Sequence, residues 1–96
     1  MIDLDEKYLD EVKRILREQV PDCEVRVFGS RITGKAQKFS DLDLALVGSE
    51  KLDWRKLEAL KDAFSESDLP IMIDVLDWFA ISASFRDLIA QNYETI

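Results

Sequence analysis

The chain has 96 residues, enough for one domain built around a single hydrophobic core, and we expect residues 1–96 to form that domain. Its 13 basic and 20 acidic side chains give a net charge of −7, which argues against stable binding to a nucleic-acid backbone. The absence of histidine excludes catalysis by a His-dependent triad or dyad, and one cysteine excludes an internal disulfide. No apolar run approaches the length of a membrane span, so we predict a cytoplasmic protein.

The first half of the chain predicts a helix followed by two strands. Apolar side chains recur at three- and four-residue spacings between Asp5 and Val20, which indicates an amphipathic helix. Charged and apolar residues alternate over residues 24–28, which predicts a strand, and residues 29–39 read as a loop with one helical turn. Residues 42–47 predict the second strand. Cys23, just before the first strand, is interpreted as a half-buried structural residue.

The second half predicts a helix, a third strand and a closing helix. Asp53 is a candidate N-cap, and the inner stripe of the helix that it begins comprises Trp54, Leu57, Leu60 and Phe64. Residues 71–76 predict the third strand, and the apolar positions of the closing helix are Phe85, Leu88, Ile89 and Tyr93. This order predicts an α/β (α+β) fold: a small mixed sheet of three to four strands with helices packed on it.

The loop after the first strand is a candidate phosphate-binding segment. The segment from Gly29 to Ala36 holds two glycines five apart, hydroxyl side chains and two cations, and glycines allow backbone N–H groups to approach phosphate oxygens. An ordinary strand-to-helix connection is the alternative. The spacing from Gly29 to Lys35 also fits a P-loop, but Ala36 stands where that motif needs Ser or Thr for magnesium.

Three aspartates are candidates for a metal site. Asp41 and Asp43 are two apart at the start of a strand, so both face the same side, and their oxygens suit Mg²⁺ or Mn²⁺. Asp74 interrupts the aliphatic third strand and would lie beside them if the two strands were neighbours. The alternatives are a solvated face for the first pair and a protective edge-strand charge for Asp74. Asp77 is expected to begin the following turn.

Together these motifs resemble the nucleotidyltransferase superfamily with the DNA polymerase β-like fold. The matching signature is a Gly-Ser pair, a downstream Asp-x-Asp and a third carboxylate one helix and one strand later. The run Gly29-Ser30-Arg31-x-x-Gly34 before Ser40-Asp41-Leu42-Asp43-Leu44 is similar, more narrowly, to the minimal nucleotidyltransferases, the MNT group. Proteins of that group are commonly paired with a HEPN-domain protein as antitoxin and toxin.

The resemblance implies the chemistry of each position. Asp41, Asp43 and Asp74 would be catalytic and would hold two Mg²⁺ (or Mn²⁺) ions, with Asp74 helping to deprotonate the acceptor. The phosphates of a nucleoside triphosphate, ATP in our hypothesis, would be bound by Gly29, Ser30 and Arg31. For Arg31 a solvent-facing or partner-facing role is the alternative. We interpret the aromatic residues Trp54, Trp78 and Phe79 as core or interface rather than as a base-stacking platform.

The leading functional hypothesis is transfer of AMP from ATP to a hydroxyl, such as a tyrosine, on a HEPN-type toxin in a hetero-oligomer, which would make the chain an antitoxin. The small size favours a partner that supplies the acceptor. A non-catalytic antitoxin that neutralises its toxin by docking is the alternative from another functional class. Nucleotidyl transfer to a small molecule is a third, less favoured because such enzymes generally carry an additional domain.

Overall fold

A four-stranded mixed sheet forms the framework of this computed structural model, which describes all residues 1–96. The strands are β1 (Glu24–Phe28), β2 (Leu42–Val47), β3 (Ile73–Asp77) and β4 (Glu94–Thr95). Their spatial order is β3-β2-β1-β4. Strand β1 is antiparallel to both β2 and β4, whereas β2 and β3 run parallel and are joined by a helical crossover. The number of strands and the mixed pairing confirm the predicted fold class.

Four α-helices and one 3₁₀ turn surround the sheet. The helices are α1 (Glu6–Gln19), α2 (Ser30–Thr33), α3 (Trp54–Ser65) and α4 (Ala83–Ala90), and the 3₁₀ turn covers Trp78–Ala80. None of the helices is long and apolar enough to cross a membrane.

Short polar side chains begin the three longer helices. Asp5 and Asp53 each accept a hydrogen bond from the backbone N–H two residues further on, and Ser82 accepts one from Phe85. Each bond satisfies an N–H that has no partner within the helix. The predicted N-cap at Asp53 is therefore confirmed, and so is the helix that it begins.

The main core lies on one face of the sheet. Helices α1 and α3 pack together over this face, where alternate residues of β1, β2 and β3 point. Its buried members are Val12, Ile15, Leu16, Val20, Val25, Val27, Leu42, Leu44, Leu46, Leu60, Phe64, Ile73 and Val75. The opposite face is partly covered by α4, where the ring of Phe85 contacts Phe28 edge to face at 5.9 Å between centroids. Asp43 and Asp74 lie on that same face, at the start of β2 and β3.

Three sequence-based assignments of apolar faces are corrected. Trp54 is 68% exposed, because it is the first residue of α3 and lies outside the inner stripe that Leu60 and Phe64 form. Leu88 is 63% exposed, since α4 turns the side carrying Ile89 inward. Tyr93 follows the end of α4 and does not belong to the closing helix.

Two strand assignments also change. Strand β3 begins at Ile73 rather than at residue 71, although Met72 still accepts a hydrogen bond from Leu42 N–H. Strand β4 was not located from the sequence, because two residues are too few to show an alternating pattern. It is defined by its pairing with Arg26 and Val27 of β1.

Candidate active site

The parallel pairing of β2 and β3 brings Asp43 and Asp74 side by side. The two residues are direct partners in the register of the strands. Their chain neighbours are buried in the core, so both carboxylates lie on the opposite face of the sheet. Asp41 is exposed and precedes Asp43 by two residues at the same end of β2. The structure thus places Asp74 beside Asp43 of the Asp-x-Asp pair, which the sequence had left conditional on the two strands being neighbours.

Crowding of these carboxylates changes the acidity of Asp43. Burial, followed by the negative charges of Asp74 and then Asp41, raises the pKa of Asp43 from 3.8 to about 6. None of the three carboxylates forms an ion pair with a lysine or an arginine. The site therefore concentrates negative charge without a cation from the protein itself.

Gly29 passes directly over the carboxylate of Asp43. Gly29 has a φ of +83°, and a β-carbon added to it would overlap Oδ2 of Asp43 and lie 3.2 Å from Cγ. Only glycine fits here, because a side chain would meet both a strained backbone and the carboxylate. Ser30 follows and begins α2. The Gly-Ser turn and the aspartates are thereby brought into one site.

Arg31 occupies a different environment from the one expected. Its guanidinium is buried, and it donates hydrogen bonds to the backbone oxygens of Asp3, Gln37, Lys38 and Ser40 at 2.7–3.3 Å. The solvent-facing alternative for Arg31 is therefore wrong. Phosphate binding by Arg31 stays a prediction that this geometry does not favour, because nearly all of its N–H groups are already used.

The carboxylates fit a divalent cation of the Mg²⁺ type. Hard carboxylate oxygens suit this ion, and the local excess of negative charge on Asp41, Asp43 and Asp74 would be relieved by it. The structure gathers no group of three or more such side chains into a complete ligand cluster. An open arrangement is what Mg²⁺ commonly uses in nucleotide sites, where one or two carboxylates leave room for phosphate oxygens and water.

Asp77 does not contribute to this site. It is buried and accepts hydrogen bonds from the backbone N–H groups of Leu52 at 2.9 Å and Phe79 at 3.1 Å. These contacts confirm that Asp77 begins the turn after β3, and they also tie the loop before α3 to that turn. Nearby, Trp78 packs against the guanidinium of Arg26, 4.7 Å from the ring centre, and so belongs to the packing of the sheet.

Two features of the site were missed by sequence reasoning. The clearance that Gly29 provides for Asp43 was not anticipated, because it depends on the pairing of Phe28 with Asp43 across β1 and β2. The role of the Ser40 carbonyl as an acceptor for Arg31 was also missed. Every residue has a backbone carbonyl, so the sequence does not indicate which one accepts a hydrogen bond. The only available signal was the arginine directly after the Gly-Ser pair.

Comparisons with a family profile and with a curated relative both match this chain to nucleotidyltransferases. The family profile "Polymerase beta, Nucleotidyltransferase" matches residues 10–96. The chain is 50% identical over 95 residues to "Probable protein adenylyltransferase MntA" of Haemophilus influenzae, covering 99% of this chain and 83% of that protein.

Two solved structures share the fold at low sequence identity. One is a crystal structure of a toxin-antitoxin with AMP-PNP (TM-score 0.68, 22% identity, 96% of this chain and 72% of that chain). The other contains a tri-AMPylated Shewanella oneidensis HEPN toxin in complex with an MNT antitoxin (TM-score 0.63, 18% identity, 96% of this chain and 71% of that chain). In this chain the Gly29-Ser30 turn lies against Asp43, which is paired with Asp74. Since the family profile also covers nearly the whole chain, the protein belongs to the polymerase β nucleotidyltransferase family.

Proposed function

We propose that this protein transfers AMP from ATP to a hydroxyl group of a HEPN-type toxin and thereby acts as an antitoxin. The observation that carries the proposal is the contact of the Gly29 turn with Asp43, which is itself paired with Asp74. Similarity to a probable protein adenylyltransferase at 50% identity supports the reaction type. The resemblance to toxin–antitoxin complexes supports the class of partner.

In this proposal Asp41, Asp43 and Asp74 hold two Mg²⁺ (or Mn²⁺) ions, and Gly29 with Ser30 binds the β- and γ-phosphates of ATP. Bound ions of this type supply charge stabilisation for an in-line phosphoryl displacement. The Gly29 turn suits phosphate because its backbone can approach closely where a side chain could not. A cytoplasmic location, where ATP is available, belongs to the same proposal.

The covalent step is a substitution at the α-phosphorus of ATP. An acceptor oxygen forms the new P–O bond, the bond between the α-phosphorus and the bridging oxygen breaks, and pyrophosphate leaves with that oxygen. The hydroxyl proton passes to the carboxylate of Asp74, which is exposed and can therefore meet an incoming acceptor. The product carries AMP on a phosphodiester.

The test is to incubate the protein with its HEPN-type partner, Mg²⁺ and ATP labelled in the α-phosphate. We expect label on the partner, with the mass increase of one or more AMP groups, and loss of labelling in Asp43→Ala. Asp68→Ala is the matched control, because Asp68 is an exposed aspartate outside the site. Labelling of the partner at the wild-type rate by Asp43→Ala would contradict the site assignment.

A docking antitoxin without catalysis is the second candidate. It is favoured by two large apolar side chains that stay exposed near the aspartates, Phe39 at 70% and Met72 at 69%. Exposed apolar groups of this kind commonly mark contacts with another protein. A tight complex with the partner that remains unlabelled in the same experiment would support this candidate over the enzymatic one.

A further inference from the structure

Arg31 is a buried cation without a carboxylate partner. Only 6% of its surface is exposed, and its guanidinium donates to the backbone oxygens of Asp3, Gln37, Lys38 and Ser40. Burial of a charge is unfavourable unless polar groups compensate for it. A residue that is held in this way by several peptide groups fixes the positions of those groups in return.

The strongest constraint falls on the peptide unit before Asp41. Both Nε and Nη2 of Arg31 donate to the carbonyl oxygen of Ser40, at 3.1 Å and 2.9 Å. On the other side of Asp41, the N–H of Leu42 donates to the carbonyl oxygen of Met72 at 3.0 Å. Asp41 therefore sits between two peptide units that are each held by a hydrogen bond, although it lies outside the regular part of β2.

The same residue is attached to the phosphate-binding turn. Arg31 directly follows Ser30 in α2, and the carbonyl oxygen of Gly29 accepts hydrogen bonds from Ile32 and Thr33 in that helix. Arg31 thus joins the Gly-Ser turn to the segment that ends at Asp41. Between these two points, residues 35–41 form no helix or strand.

We propose that Arg31 is a positioning residue that holds Asp41 at a fixed place relative to the Gly29-Ser30 turn. In that arrangement the metal held by Asp41 and the nucleotide phosphates held by the turn would bind next to each other. This inference rests on the proposed function of the site. Arg31 acts through the Ser40 carbonyl and does not contact the nucleotide. Arginine is required because its planar fork presents several N–H donors in a fixed geometry, whereas lysine has a single nitrogen on a flexible stem.

The test measures binding of ATP to the folded protein over a range of Mg²⁺ concentrations in wild type and in Arg31→Lys. We expect the Mg²⁺ concentration for half-maximal ATP binding to rise about tenfold or more in Arg31→Lys, as expected when a hydrogen bond to a charged group is lost. Binding should recover at high Mg²⁺, because Asp43 and Asp74 remain. In the absence of metal, the amide hydrogen of Ser40, which is donated to the carbonyl oxygen of Gln37, should exchange faster in Arg31→Lys than in wild type.

Two control variants separate positioning from general stability. Val12→Ala opens a cavity in the core far from the site and should lower the melting temperature without moving the Mg²⁺ midpoint. Arg26→Lys makes the same substitution in an arginine that packs between Trp78 and Tyr93, and it should also leave the midpoint unchanged. A wild-type midpoint in folded Arg31→Lys, or an equal shift in Val12→Ala, would overturn the inference.

If Arg31→Lys does not fold, Asp41→Ala decides the question. Asp41 is exposed, so its removal leaves the fold and the bonds from Arg31 to the Ser40 carbonyl in place. We expect the Mg²⁺ midpoint to rise, and an unchanged midpoint refutes the positioning role, because the position of Asp41 would then not matter for metal binding. Failure of wild type to bind ATP with Mg²⁺ would instead contradict the proposed function.

Discussion

Gly29 lies against the carboxylate of Asp43, so closely that an added β-carbon would overlap Oδ2. The contact arises because Phe28 is the antiparallel partner of Asp43, which brings the end of β1 over the start of β2. The turn proposed to bind phosphate and a carboxylate proposed to bind metal are therefore neighbours through the sheet, although thirteen residues lie between Gly29 and Asp43 in the sequence.

Gly29→Ala should abolish Mg²⁺-dependent ATP binding and destabilise the fold. Gly34→Ala is a control for positive φ alone, because Gly34 has a φ of +80° but an added β-carbon there would meet nothing within 4 Å. Gly34 lies in the left-handed region, where alanine costs roughly 1–2 kcal/mol. Gly29, with a ψ of −156°, lies in a region that only glycine adopts readily, so Gly29→Ala carries more strain and also displaces Asp43. Thermal melts and nucleotide titrations measure the two effects. Equal loss of binding in both variants would show that strain, rather than the contact with Asp43, is responsible.

The metal-free protein should gain stability from Asp43 as the pH falls through about 6. The pKa of Asp43 is about 6 in the folded protein, against 3.8 for an unperturbed aspartate. Between pH 3.8 and pH 6 the folded state therefore binds more protons at this residue than the unfolded state does. Ionised Asp43 thus lowers the free energy of unfolding at neutral pH, and this penalty is absent below 3.8. Asp43→Asn removes it, and should raise the melting temperature in EDTA by about 4–8 °C at pH 7 if screening by water leaves roughly 1 kcal/mol.

The gain from Asp43→Asn should shrink to nothing near pH 4, where wild-type Asp43 is protonated in the fold. Melting both proteins at a series of pH values in EDTA isolates this residue, because all other titrating groups are shared. A difference in melting temperature that stays constant from pH 7 to pH 4 would contradict the raised pKa of Asp43.

Magnesium should stabilise wild type and do much less for Asp43→Asn. An ion that binds only the folded state adds about 2.7 kcal/mol at a hundredfold excess over its Kd. Removing the charge of one ligand weakens binding of the ion, so the variant gains less. Paired melts in EDTA and in Mg²⁺ measure this, and an equal gain in both proteins would show that Asp43 does not bind the metal.

Asp74→Ala and Asp77→Ala should separate chemistry from stability within one strand. Asp74 is exposed and its loss should abolish AMP transfer while the melting temperature in EDTA is kept or raised. Asp77 is buried and accepts two backbone N–H groups, so its loss should cost about 1–3 kcal/mol and leave Mg²⁺-dependent ATP binding intact. Melts and titrations on both variants test this pair; loss of ATP binding in folded Asp77→Ala would show that Asp77 supports the site.

Local patterns along the chain were sufficient to predict the elements that carry the site. Strands β1 and β2 were predicted with their observed bounds, because alternation and buried aliphatic runs are strong signals over five or six residues. The Gly-Ser turn, the Asp-x-Asp pair and Asp74 were identified by residue type and spacing. The residues that could meet were therefore named in advance, and whether they meet was left conditional on the strand order.

Tertiary structure decided which of these groups touch and which way the long side chains point. The parallel register that pairs Asp43 with Asp74, and the contact of Gly29 with Asp43, depend on strand order, which local periodicity does not contain. Arg31 carried the same sequence signal as a phosphate ligand, yet its guanidinium turns inward to backbone carbonyls. A long, flexible cation takes whichever acceptors the folded chain presents, and in this protein those acceptors come from segments up to twenty-eight residues away.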